Sequence, residues 1–128
     1  MKLLLDTCTF LWLIGDAPEL SAPARKLFTE PANEVFLSAA SVWEIIVKHK
    51  LGKLPLPRPP QEFIPHWRTR HNIEPLPLDE AAVLQLARLP DYHRDPFDRI
   101  LICQAIANGL IILTPDPLIR QYPVRVEW

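Results

Sequence analysis

A chain of 128 residues, 48% of them apolar and with a formal charge of −1, is long enough for one domain with a real core and too short for two, which predicts a single domain over residues 1–128. The apolar share excludes disorder, the small net charge excludes a global electrostatic pull toward nucleic acid, and the apolar runs, broken at Asp6 and Gly15, fall short of the ~18 residues of a membrane span. Asp6 also interrupts the first apolar stretch too early for a secretory signal; Cys8 and Cys103, both in apolar surroundings, read as buried free thiols of a reducing cytoplasm.

Taken in order, Lys2 to Leu5 reads as a short buried strand and Thr7 to Ile14 as a buried helix stopped by Gly15. Ser21 to Glu30 is a helix with Ser21 as N-cap and Pro23 in the first turn. Glu34 to Leu37 is a strand, and Ala40 to Leu51 a helix ended by Gly52. Gly15, Gly52 and Gly109 all follow helical blocks, where a left-handed residue is favoured. The segment Pro55-Leu56-Pro57-Arg58-Pro59-Pro60 is a stiff connector. Beyond it come a helix from Gln61 to His71, a strand from Ile73 to Leu76, a helix from Asp79 to Leu89 and a loop from Tyr92 to Pro96. Phe97 to Asn108 is a helix too apolar to expose any wide face. Leu110 to Leu113 is a strand, Asp116 to Gln121 a short helix with Pro117 at its first position, and Val124 to Val126 a last strand. This alternation predicts an α/β fold with a four- to five-stranded parallel sheet between helical layers.

Four acids stand at or near such boundaries: Asp6, Glu44, Asp98 and Asp116. Each has a capping explanation. Asp6 can cap the helix from Thr7, Ser41-x-x-Glu44 fits a capping box, Asp95-Pro96 opens a helix with Asp98 in its first turn, and Asp116-Pro117 repeats that pattern. Capping does not explain why several such starts share one edge of one sheet, the edge where ligands bind in open α/β folds. Carboxylates gathered there call for a hard cation with oxygen ligands. Asp95 and Asp98, three apart, are neighbours on one helical face, with Asp91 close by in sequence.

Other chemistries have no support. His93 reads as a loop side chain bonded to backbone and not as a ligand, and His49, His66 and His71 as surface residues with no zinc-site spacing. There is no glycine-rich phosphate loop and no signature of a Ser-His-Asp triad. Trp12, Trp43, Trp67 and Trp128 read as core or interface residues. Residues 48–70 carry Lys48, Lys50, Lys53, Arg58, Arg68 and Arg70 against Glu62 alone. Two readings stay open for that run: a solvated helical surface and a patch that contacts phosphates.

Leu5-Asp6-Thr7, Ser38 to Ile45, His93-Arg94-Asp95-Pro96-Phe97-Asp98-Arg99 followed by Ile-Leu-Ile-Cys-Gln-Ala, and Thr114-Pro115-Asp116 together resemble a PIN domain. More narrowly, they resemble the VapC-type ribonuclease toxins of toxin–antitoxin pairs. The resemblance runs over nearly the whole chain, and the His-x-Asp-Pro-Phe-Asp-Arg block is its most specific part. It implies a PIN-like three-layer α/β/α fold and a magnesium-dependent endoribonuclease, with manganese as an alternative ion. It implies Asp6, Glu44, Asp98 and Asp116 as the catalytic acids, with Asp6, Asp98 and Asp116 on the metal and Asp95 sharing or replacing the role of Asp98. Thr7 and Thr114 match supporting polar positions, and Lys48, Lys50 and Lys53 are candidate RNA contacts. A cognate antitoxin, a cytoplasmic location without a membrane, and a homodimer complete the implication, with Trp12, Phe28, Trp43 and Trp67 as candidate interface residues. The alternatives are a phosphatase of the haloacid dehalogenase type and a catalytically inactive PIN-fold interaction domain. In the run Asp6-Thr7-Cys8-Thr9-Phe10 the phosphatase's second acid is missing.

Overall fold

The computed structural model describes residues 1–128. Five strands, β1 (Lys2–Leu5), β2 (Glu34–Ser38), β3 (Ile73–Leu76), β4 (Ile111–Leu113) and β5 (Val126–Glu127), form one sheet in the order β3-β2-β1-β4-β5. Every pairing is parallel, with Leu3 opposite Val35 on one side and Ile111 on the other. The helices are α1 (Thr7–Ile14), α2 (Ala22–Thr29), α3 (Ala39–Lys50), α4 (Pro60–Arg70), α5 (Glu80–Leu84) and α6 (Pro96–Asn108).

Two buried clusters make the three layers. Leu3, Leu5, Val35, Leu37, Ile73, Ile111 and Leu113 turn to one face of the sheet and pack with Phe10, Leu13, Ala24, Ile45, Phe63 and Ile64 of the helices there. Leu4 and Ile112, one residue out of phase, face the other side and meet Leu101, Ile102, Cys103 and Ala105 of α6. This is the two-residue period of a strand buried on both faces. Gln104, fully buried in α6, ties the layers together: it accepts the Ser38 hydroxyl at the end of β2 and donates to the Pro77 carbonyl at 3.2 Å.

The chain runs outward from β1 through β2 to β3, then returns to place β4 on the opposite side of β1. The strand order therefore reverses between β1 and β4, and the crevice beyond their carboxyl ends is where an open α/β sheet binds its ligand. Asp6 directly follows β1; Thr114 and Asp116 follow β4.

Several local expectations are corrected. The N-cap of α3 is Ser38, whose hydroxyl accepts from Ala40 N at 3.0 Å, so Ser41 and Glu44 lie inside the helix and form no capping box. The Asp79–Leu89 segment tightens to a 3-10 turn at Gln85–Ala87 after five α-helical residues. Asp116–Gln121 is a turn followed by a 3-10 turn at Ile119–Gln121, and not a helix opened by Pro117. Gly15 has φ −84 and needs no left-handed freedom, unlike Gly52 and Gly109, because Asp16 takes the positive φ there. Cys8 is exposed and Cys103 buried. Trp12, Phe28 and Trp67 pack against the core, leaving Trp43 as the one strongly exposed aromatic of the four expected at an interface.

Candidate active site

Asp6, Thr7, Cys8, Trp12, Glu44, Lys48, Asp95, Asp98, Thr114, Pro115, Asp116 and Pro117 line one cavity of about 330 Å³. All four acids, both supporting threonines and Asp95 thus meet, although they span 111 positions of sequence from first to last. Capping and convergence prove compatible at Asp6 and Asp95, which cap α1 and α6 and also line the cavity, whereas Glu44, Asp98 and Asp116 cap no helix.

Asp6 is the most constrained. Its Oδ1 caps α1 by accepting from Thr9 N at 2.7 Å, and its Oδ2 accepts the Thr114 hydroxyl across the β1–β4 switch point. Thr114 Oγ1 in turn accepts from Asp116 N at 3.2 Å, which sets the direction of the chain at Asp116. Burial pushes the Asp6 carboxyl above its usual range; the Thr114 and Thr9 hydrogen bonds pull the other way and Asp116 adds to the rise.

Glu44 lies on α3, the helix that follows β2. Thr7 Oγ1 stands 2.6 Å from Glu44 Oε1 and 3.0 Å from Ser41 Oγ. A carboxylate only accepts, so the Thr7 hydrogen goes to Glu44 and the Ser41 hydroxyl donates to Thr7. The other Glu44 oxygen, Oε2, holds the Lys48 ammonium one turn along the helix.

Asp95 caps α6, accepting from Phe97 N at 2.9 Å, and Asp98 sits in the first turn. Burial, and then the Asp95 carboxylate, push the Asp98 carboxyl up to about 7 from an ordinary 3.8, against the opposing pull of His93.

The role of His93 was missed from sequence. It is buried, and its Nδ1 accepts from Asp95 N at 3.1 Å, the backbone contact expected of it. That acceptor role fixes the proton on Nε2, which lies 2.9 Å from Asp116 Oδ2 and 3.2 Å from Asp98 Oδ2. A protonated ring nitrogen has no lone pair to give a cation, so His93 is a clamp between two carboxylates and not a ligand. Its loop is held in turn by Tyr122 and Arg99. The Tyr122 hydroxyl accepts from His93 N at 2.8 Å and donates to the Pro90 carbonyl, while Arg99 donates to the carbonyls of Leu89, Pro90 and His93. The closeness of His93 to Asp95 in sequence was the only available signal, since its partner Asp116 lies 23 residues away.

The donor set fits a hard divalent cation. Every free ligand atom in the cavity is a carboxylate or hydroxyl oxygen apart from the Cys8 thiol, which partial burial and the Asp6 and Glu44 charges push up to about 11, so it stays protonated. Asp6, Asp98 and Asp116 meet no lysine or arginine; their hydrogen bonds come from backbone N–H groups, the Thr114 hydroxyl and the His93 N–H, and burial is the first cause of the raised carboxyls of Asp6 and Asp98.

Of the three lysines expected to touch RNA, only Lys48 lines the cavity; Lys50 and Lys53 are exposed outside it. Arg68 is half-buried with one guanidinium nitrogen, Nη1, unpaired. His71 stacks on Trp67 at 5.6 Å and is half-buried, as is His49.

A family model described as PIN domain matches residues 3–124. A curated relative, Ribonuclease VapC16 of Mycobacterium tuberculosis, is 40% identical over 68 residues. That alignment covers 50% of this chain and 48% of the relative, so only about half the length of the relative is matched. Among solved structures, a chain of VapBC2 from Rickettsia felis bound to a promoter DNA fragment superposes with a TM-score of 0.73 at 16% identity, covering 99% of this chain and 98% of that one. A chain of DNA-bound VapBC from Salmonella typhimurium gives 0.73 at 21% identity over 99% and 97%. At these identities the structures establish a shared fold.

Proposed function

The chain belongs to the PIN domain family, and on that footing we propose that residues 1–128 form a single PIN domain that hydrolyses RNA phosphodiesters as the toxin of a toxin–antitoxin pair. The observation that carries this reading is the convergence of Asp6, Glu44, Asp98 and Asp116 at the β1–β4 switch point, with raised carboxyls at Asp6 and Asp98. The partly matched VapC16 ribonuclease and the VapBC complexes of like fold support the narrower toxin assignment.

Asp6, Asp98 and Asp116 would hold a magnesium or manganese ion, with Asp95 beside them. Such an ion supplies acidification of a water and polarisation of the phosphodiester. The chain's own part is positional. Thr114 and the cap of α1 fix Asp6, and His93 fixes the Asp98–Asp116 separation. Both oxygens of Glu44 are engaged, whereas Asp98 Oδ1 has no hydrogen-bond partner in the chain. Asp98 Oδ1 is therefore the better acceptor for the proton of an attacking water. Attack is in line, without a covalent enzyme intermediate. Lys48, and outside the cavity Lys50 and Lys53, supply positive charge for RNA phosphates.

Exposed Trp43 on α3, with exposed Leu51 just past the end of that helix, is the apolar surface proposed to meet a second copy. An antitoxin segment bringing an arginine or lysine to the acids would inhibit by charge substitution. No helix is long and apolar enough to cross a membrane, and the proposed action is on RNA in the cytoplasm. The test is sequencing of RNA 5′ ends after induction of the chain, beside an Asp6→Asn control, with and without co-expression of the small protein encoded next to it. New ends that appear only with the unaltered chain and vanish on co-expression are expected. Identical ends in the control would overturn the nuclease assignment, and cleavage untouched by the neighbour would overturn the toxin assignment. A generic aryl phosphate turned over in place of RNA would restore the phosphatase alternative, which has Cys8 where its second acid belongs.

A further inference from the structure

The contact between Glu44 and Lys48 divides the acid cluster into two unlike parts. Glu44 keeps only 5% of its side-chain surface exposed, and Lys48 retains 44%. An ordinary pair at this helical spacing joins two solvated side chains; here the acid is buried in the cavity wall, and the base reaches in to meet it. Glu44 Oε1 takes the Thr7 hydroxyl and Oε2 takes the ammonium, so neither oxygen lacks a donor. Asp6, Asp98 and Asp116 receive only a backbone N–H, a hydroxyl or the His93 N–H. One corner of the cluster is thus neutralised by a residue of the chain, and the other corner is not.

Two-metal hydrolytic sites need carboxylates free to hold both ions about 3.5–4 Å apart. A lysine ammonium is a compact point charge with three donors on a flexible stem, able to fill a cation position against a carboxylate. Asp95 and Cys8 also lie within its electrostatic reach. We propose that Lys48 is a resident cation of the site, occupying the Glu44 corner in place of a second divalent ion, so that the cluster takes one ion at its Asp6–Asp98–Asp116 end. The remaining donors of the ammonium then face the cavity and meet a phosphate oxygen of the bound RNA, which deepens the nuclease reading and rests on it.

Calorimetric titration of the full chain with manganese alone tests this without RNA. One ion per chain is expected for the unaltered protein and for Lys48→Arg. Lys48→Met frees Glu44 and should bind two ions per chain, and the double variant Lys48→Met/Glu44→Gln should return to one. Lys48→Gln serves as a second uncharged variant should the methionine disturb the helix. Two ions or none in the unaltered chain, or a single ion in both uncharged variants, would overturn the proposal. RNA cleavage run alongside separates the failures. If RNA is cut but the uncharged variants still hold one ion, the Lys48 assignment alone falls. If no RNA is cut with any ion, the nuclease reading falls, while the ion count still decides what Lys48 does.

Discussion

Replacing Asp98 by asparagine is expected to stabilise the metal-free protein above neutral pH. The Asp98 side chain is 20% exposed, and its carboxyl is pushed up to about 7, first by burial and then by Asp95. A folded-state value above the unfolded one favours the protonated form in the fold. The stability this confers is complete below about pH 4 and is lost as pH rises through about 7. About three pH units between the two states correspond to an upper bound of ~4 kcal/mol at ~1.4 kcal/mol per unit. Residual exposure and relaxation of neighbouring charges reduce the expected effect to about 2 kcal/mol. Asparagine keeps the size of the side chain and an oxygen for the His93 Nε2–H, now 3.2 Å from Asp98 Oδ2, but carries no charge to desolvate. Urea denaturation of chelator-treated protein should therefore find Asp98→Asn about 2 kcal/mol more stable than the unaltered chain at pH 8 and equal to it at pH 4. Saturating manganese should reverse the order at pH 8, because the ion stabilises the state that binds it. Equal stabilities at pH 8 without metal, or a less stable variant there, would refute the electrostatic reasoning.

Three further outcomes are expected. Asp95→Asn should cost far less RNA cleavage than Asp98→Asn, because asparagine caps α6 as well as aspartate does; kinetics at saturating manganese check this, and the reverse order would transfer the metal role to Asp95. Gln104→Leu should lower stability by about 2–4 kcal/mol in chemical denaturation, since it strips partners from the Ser38 hydroxyl and the buried side of the Pro77 carbonyl. Charge reversal at Lys50 and Lys53 should weaken RNA binding and lower the slope of log K against log salt by roughly one to two; an unchanged slope in filter-binding titrations would return both to a solvated surface.

The parallel sheet was legible because strand and helix blocks alternate with clear period changes, and Lys2–Leu5 and Ile73–Leu76 fall where their patterns place them. The cavity acids were legible as a set, since Asp6 and Asp116 follow strand ends, Glu44 lies on the helix that follows β2 and Asp98 is in the first turn of α6, and the topology brings all four to one edge. What failed were features decided by long-range geometry. Ser41-x-x-Glu44 has the residues of a capping box, but Ser38 ends β2 in the extended conformation a cap needs and takes the position first. His93 is an unremarkable loop residue until the fold carries Asp116 to its ring. Cys8 reads as buried from its apolar neighbours, yet the turn of α1 aims it into the polar cavity. Lys48, Lys50 and Lys53 look like one basic run, but Lys48 and Lys50, two apart on α3, point away from each other, Lys53 lies beyond the end of the helix, and only Lys48 reaches the acids.

The most direct measurement is cleavage of an end-labelled RNA by the purified chain in magnesium or manganese, in excess chelator, and by Asp6→Asn under saturating ion. Asparagine can keep the cap of α1 through its Oδ1, so the variant should retain the circular dichroism of the unaltered chain. The account predicts cleavage with divalent ion, none with chelator, and a loss of at least about 100-fold in the folded variant, the scale of removing a group that stabilises charge in the transition state. Cleavage by folded Asp6→Asn at the rate of the unaltered chain, or cleavage indifferent to the chelator, would contradict it.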